Sequence, residues 1–210
     1  MPIPFVTYLV AAMSAWIPPR GADVERYTDI ASDVVAVAFD PDEEPAFQGE
    51  RARERTALLM LSIASFESQF RADVDRGDVR GDHGTSWGLF QIHIGKGRSK
   101  EGWSGPELTA DRKKGVRAGL RIARDSLKWC SKLPAEDRLS GYTKGRCEKD
   151  SYSRARIGRA KYWWKAHPYE DASPEPTPKP TDPEGGGTEA KVETASISRK
   201  ESVARAGETE

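Results

Sequence analysis

Histidine and cysteine are scarce in this chain: three of the first, His83, His93 and His167, and two of the second, Cys130 and Cys147, among 210 residues. The histidines follow no zinc-ligand spacing, so no metal and no cofactor are expected. No glycine loop of the phosphate-binding kind occurs, and no Ser-His-Asp or Cys-His arrangement marks a nucleophile with its base. The apolar stretch near the N-terminus is too short to span a membrane. It is also a poor secretory leader, because none of Met1 to Pro4 is charged and Trp16-Ile17-Pro18 makes a poor cleavage site.

Net charge is absent as well, with 33 basic and 33 acidic side chains, but the balance hides a pattern. Residues 1–95 carry 8 basic and 15 acidic side chains, residues 96–165 carry 20 and 8, and residues 166–210 carry 5 and 10. A basic middle segment suits an anionic polymer, whether cell-wall material or nucleic acid. Nucleic acid is not favoured, since no recognisable binding motif surrounds the basic helices.

The chain reads as mainly α. Phe5, Tyr8, Leu9, Ala12, Met13 and Trp16 recur at helical spacing until Pro18-Pro19. A second helix is expected from Asp23 to Phe39, with Val24, Tyr27, Ile30, Ala31, Val34, Val35 and Ala38 inward, closed by Asp40-Pro41-Asp42. The acidic turn Asp40 to Pro45 lacks the pattern of a calcium loop and is expected to be solvated. Gly95 to Pro106 reads as irregular, and Asp111 to Cys130 as a long helix with Val116, Leu120, Ala123, Leu127 and Cys130 in one stripe and Arg and Lys opposite. A last helix is expected from Ser151 to Ala166, its Tyr152, Ala155, Arg159, Tyr162, Trp163 and Trp164 available for packing or for stacking on a ligand. Strand signal is confined to short pieces near Leu89 to Ile94.

Residues Ala57 to Phe66 form an apolar run interrupted only by Ser62 and Ser65, and it ends in Glu67. Such a run fits a helix buried on nearly every side. A carboxyl group at its end lies against apolar side chains, which disfavours ionisation and moves its pKa toward the range of a general acid. Taken alone, the same position also fits a solvated residue that ends a core helix. Downstream, Gly81, Gly84 and Gly88 punctuate a loop that runs into Leu89-Phe90-Gln91-Ile92. Asp73, Asp75 and Asp78 read as loop solvators.

Glu67-Ser68, then Gly88-Leu89-Phe90-Gln91, then Gly141-Tyr142-Thr143-Lys144-Gly145 resemble, in order and spacing, the three motifs of the lysozyme-like (SLT-type) lytic transglycosylases. Residues 81–91 are also similar to goose-type lysozymes. The resemblance covers about residues 50 to 165. It implies a lysozyme-like helical domain over 50–171, with the helices of 1–49 packed on it. The implied activity is cleavage of the MurNAc-GlcNAc bond of peptidoglycan by Glu67 alone, as acid and then as base, giving a 1,6-anhydro product. Ser68 would orient the glutamate or the loop. Gly88, Leu89, Phe90, Gln91 and Tyr142 match positions that line the glycan groove, and Tyr142 would hydrogen-bond Glu67. Thr143 departs from the family's Asn.

A lysozyme would need a base for water, and in an inverting geometry that base lies about 6.5–9.5 Å from the acid. Asp82 is the second carboxylate for that role, while the other aspartate of the goose-type pair falls on His93. A non-catalytic glycan-binding or structural virion protein is the reading from another class. Cys130 and Cys147 flank the loop that carries Tyr142, as a disulfide in an oxidising compartment or as buried thiols otherwise. A cell-wall substrate and no convincing leader point to a phage-encoded protein, released by a holin or carried in the virion, and a monomer is expected. From Ala172 onward, Pro, Gly, Ser, Thr and charge dominate, and residues 172–210 are expected to be a disordered tail.

Overall fold

Every residue from Thr56 to Ser65 is buried, and these ten make up most of a single helix, Ala52–Glu67. Its Ala, Leu and Met residues favour helix, and no Gly or Pro interrupts it. The structure, a computed structural model, describes residues 4–21, 23–94 and 97–170, all within one compact unit, Met1–Ser173. It is mainly helical, 60% helix with few strands. The tail expected over 172–210 lies outside the described residues.

The order is α1 Phe5–Trp16, α2 Asp23–Ala38, α3 Ala52–Glu67, α4 Ala72–Asp75, β1 Ser86–Trp87, β2 Ile92–His93, α5 Gly105–Ala110, α6 Arg112–Trp129, α7 Ser140–Lys144 and α8 Ser151–Ala166. Helix α3 is the hub: α1, α2, α6 and α8 all pack against it. Strands β1 and β2 form an antiparallel pair, Ser86 opposite His93 and Trp87 opposite Ile92. Among the described residues, no helix is long and apolar enough to cross a membrane, and no group of His, Cys, Asp and Glu could hold a metal ion.

Several expectations are corrected here. Val24 is exposed in the first turn of α2, and Val37 joins the buried stripe in the last. The segment expected to be irregular up to Pro106 ends in α5, which a capping box opens: Glu107 accepts from both the backbone and the hydroxyl of Ser104. That Ser-x-x-Glu signal, with Pro106 behind it, was present in the sequence. Gly105 is required there, because a Cβ would stand 2.1 Å from the Trp87 ring. In α8 the buried positions are Ser153, Arg156 and Ala160, while Tyr152 and Tyr162 are exposed at 61% and 74%. Small residues let α8 approach α3, where the Ser62 hydroxyl donates to the Arg156 carbonyl at 2.7 Å. Trp163 and Trp164 pack half-buried near Tyr8 of α1.

The largest correction concerns charge. Glu43 of the acidic turn is buried and receives Arg117 at 3.0 Å and Arg121 at 2.6 Å. Asp75 is buried too, 2.9 Å from Arg112, which also holds Asp33 at 2.7 Å. Lys128 reaches Glu44 at 2.9 Å. Much of the basic face of α6 is therefore the mate of the acidic first half of the chain rather than a surface free for an anionic polymer. Carboxylates at those depths persist only when paired.

Candidate active site

Glu67 occupies the last turn of α3, with its side chain 18% exposed. The chain must leave the core at once, and it does so by unusual backbone. Gln69 and Phe70 follow with φ of 53° and 54°, and the facing loop adds Asp82, His83 and Gln91 at 46°, 56° and 45°. Left-handed conformations are uncommon outside glycine, and more so for a buried aromatic such as Phe70. Their concentration around one carboxylate marks the region as a functional candidate.

Arg156 of α8 holds Glu67. Its Nε and Nη2 donate to the same carboxylate oxygen, Oε1, at 3.1 and 2.8 Å, and its Nη1 donates to the Tyr152 carbonyl at 2.9 Å. The guanidinium also lies over the Phe66 ring at 5.0 Å, where Arg159 lies at 3.9 Å. Among the described residues Oε2 accepts no hydrogen bond, and it is not one of the sealed, unpartnered polar atoms, so it reaches solvent. Burial pushes the Glu67 carboxyl up, the Arg156 guanidinium opposes this by charge and hydrogen bonds, and the negative charge of Asp82 adds to the rise. Burial wins.

Sequence reasoning missed Arg156, which lies 89 residues from Glu67. One signal could have found it: with Ser153 and Ala160, Arg156 stands on the buried stripe of α8, and a buried guanidinium implies a carboxylate.

The remaining expected residues hold the site more than they line it. Ser68 caps α3: its hydroxyl donates to the Ala64 carbonyl at 2.8 Å and accepts from the Phe70 amide at 3.2 Å. It orients the loop, not the carboxylate. Leu89 and Phe90 are buried in the core, so neither presents a surface to a glycan. Gln91 is spent on its own loop, its Oε1 accepting from the Gly81 amide and its Nε2 donating to the Gly88 carbonyl, both at 2.9 Å. Gly88, at φ 68°, allows the turn between them.

Tyr142 does not hydrogen-bond Glu67; its hydroxyl donates to the Phe90 carbonyl at 2.6 Å. Burial, with the Glu67 charge second, raises its phenol well above the ordinary range, so it remains a donor. Thr143 donates to Asp150, the N-cap of α8, and so joins α7 to the helix that carries Arg156. Cys130 and Cys147 are disulfide-bonded, with Cα atoms 5.2 Å apart, tying the end of α6 to the segment after α7.

Asp82 is exposed and accepts a hydrogen bond from the Ser86 hydroxyl. His93 is exposed as well, its Nδ1 3.3 Å from the Thr85 hydroxyl. The arrangement therefore contains one carboxyl group whose ionisation burial disfavours, a cation fixed to one of its oxygens, and a second carboxylate close enough to act on its charge. Such a set can protonate a leaving oxygen and then take a proton back. Searched against protein-family models, curated proteins and solved structures, the chain matches none.

Proposed function

We propose that this protein cleaves the glycan strands of peptidoglycan as a lysozyme-like lytic transglycosylase, with Glu67 as its only catalytic carboxylate. The observation that carries the reading is the asymmetric seating of Glu67. Arg156 occupies Oε1, while Oε2 is left open to solvent and to a substrate. The acid form, favoured by burial, donates its proton to the glycosidic oxygen as the C–O bond breaks. The carboxylate so formed is stabilised by the two Arg156 donors. It then draws the proton from the C6 hydroxyl of the muramoyl residue, whose oxygen closes the 1,6-anhydro ring. The proton is returned and no water is consumed.

One observation favours a second reading, hydrolysis by a lysozyme with Asp82 as base, because the Asp82 charge acts on Glu67. Against it stands the use of Asp82 within its own turn, at φ 46° and bonded by Ser86. Mass spectrometry of digested sacculi separates the two. Anhydro products, roughly 18 Da lighter than hydrolytic ends because water is not added, are expected from the wild type. Asp82→Asn should retain most activity. Hydrolytic ends together with a folded, inactive Asp82→Asn would establish the lysozyme instead. A folded wild type that releases nothing from sacculi would leave the non-catalytic, glycan-binding or virion-structural role.

A further inference from the structure

More than two turns of α3 away from Glu67, a cavity of about 640 Å³ opens between the first half of that helix, the end of α6 and one face of α8. Leu58, Leu59, Leu127, Ile157, Ala160 and Trp164 give it an apolar floor. Four cations border it, Arg55, Lys128, Arg138 and Lys161, and no Asp or Glu is among the lining residues. Elsewhere in the fold, arginines of α6 meet carboxylates, so the contrast is local.

Lys128 reaches back to Glu44. The other three have no ion-pair partner among the described residues. Arg55 lies over the Phe47 ring at 5.4 Å and donates Nη2 to the Gln48 carbonyl at 2.6 Å, while its buried Nε has no hydrogen-bond partner among the described residues. Arg138 gives Nε to the Leu133 carbonyl at 2.9 Å, and Lys161 is exposed. The cavity falls in the range of small-ligand sites, roughly 300–1,000 Å³. A stable protein partner would need a face of roughly 800 Å² on each side, which a pit of this kind does not offer.

We propose that this cavity binds a single-chain amphiphile with an anionic head, of the fatty-acid type. The alkyl chain covers the apolar floor, and the carboxylate stands among Arg55, Arg138 and Lys161. The site shares no residue with the Glu67 cluster, so it stands or falls independently of the glycan-cleaving reading.

Calorimetric titration of the full-length protein with decanoate, below its micelle concentration, tests the proposal, with decanol and decyltrimethylammonium as controls. One decanoate should bind per chain, about tenfold or more tighter than decanol, and the cationic amphiphile should not bind. Arg138→Glu and Lys161→Glu should each weaken decanoate about tenfold, with decanol affinity and melting temperature unchanged. Equal affinity for decanoate and decanol would overturn it, as would folded charge-reversal variants that bind decanoate like the wild type. Failure of decanoate to bind, alongside binding of an acidic amphipathic peptide, would overturn it in favour of a protein partner.

Discussion

Glu67→Gln is expected to yield a folded protein whose glycan cleavage falls roughly 100- to 10,000-fold, the usual contribution of a positioned acid. The amide keeps the shape of the side chain, and its oxygen can still accept from Nε and Nη2 of Arg156, so the α3–α8 contact survives. What it lacks is an acidic proton. Binding of intact glycan, measured by co-sedimentation with sacculi, should be retained. Turnover near the wild-type level in a folded variant would remove Glu67 from the chemistry.

The companion substitution Arg156→Gln acts on the pH profile. An acid catalyst must be protonated, so activity is lost as pH rises through the Glu67 pKa. Burial already raises that pKa and Arg156 holds the rise in check. Removing the guanidinium should therefore raise it further and shift the basic limb of kcat/KM to higher pH. A shift to lower pH, or none with activity retained, would show that this limb does not report Glu67.

Asp75→Ala is expected to give the largest loss of stability. Its carboxylate is buried and accepts from Nε and Nη2 of Arg112, with Arg26 4.0 Å away. Truncation leaves the Arg112 guanidinium, its side chain only 25% exposed, with Asp33 as its one remaining carboxylate partner among the described residues. Breaking a buried pair from one side costs about 3 kcal/mol, at the low end of the usual range because Asp33 persists. In a unit of this size that lowers Tm by about 6–12 °C. Asp73→Ala is the matched control. Its pair with Arg71 is exposed, the two side chains at 36% and 53%, and its loss should move Tm by no more than about 2–4 °C. Equal effects of the two substitutions on thermal unfolding would show that burial of Asp75 carries no special weight.

The boundaries of α8 and the existence of α1, α2, α3 and α6 were legible because period and caps agree: Asp111 and Asp150 cap α6 and α8 as their positions imply. Glu67 was legible because an apolar run makes its terminus conspicuous. The fate of the other charges was not. A lone sequence shows Asp40 to Pro45 as a polar turn, and nothing local distinguishes a solvated Glu43 from one clasped by Arg117 and Arg121. The roles of Gln91 and Tyr142 escaped for a related reason. Residues at matching motif positions were expected to face a ligand, but the loop of a two-stranded hairpin needs its polar backbone bonded, and Gln91 from within it and Tyr142 from α7 supply those bonds.

The ion pairs between α6 and the acidic segment ahead of α3 join residues 74 to 84 positions apart. A chain emerging from the ribosome at about 5–20 residues per second therefore carries its acidic first half for several seconds before the matching basic helix is complete. During that interval Glu43 has no reason to leave water, and the apolar stripe of α2 lacks one of the helices that cover it. The first half of this protein is thus made ahead of the counter-charge that α6 supplies, and the core stays open until α8, the last helix to pack on α3, has followed it.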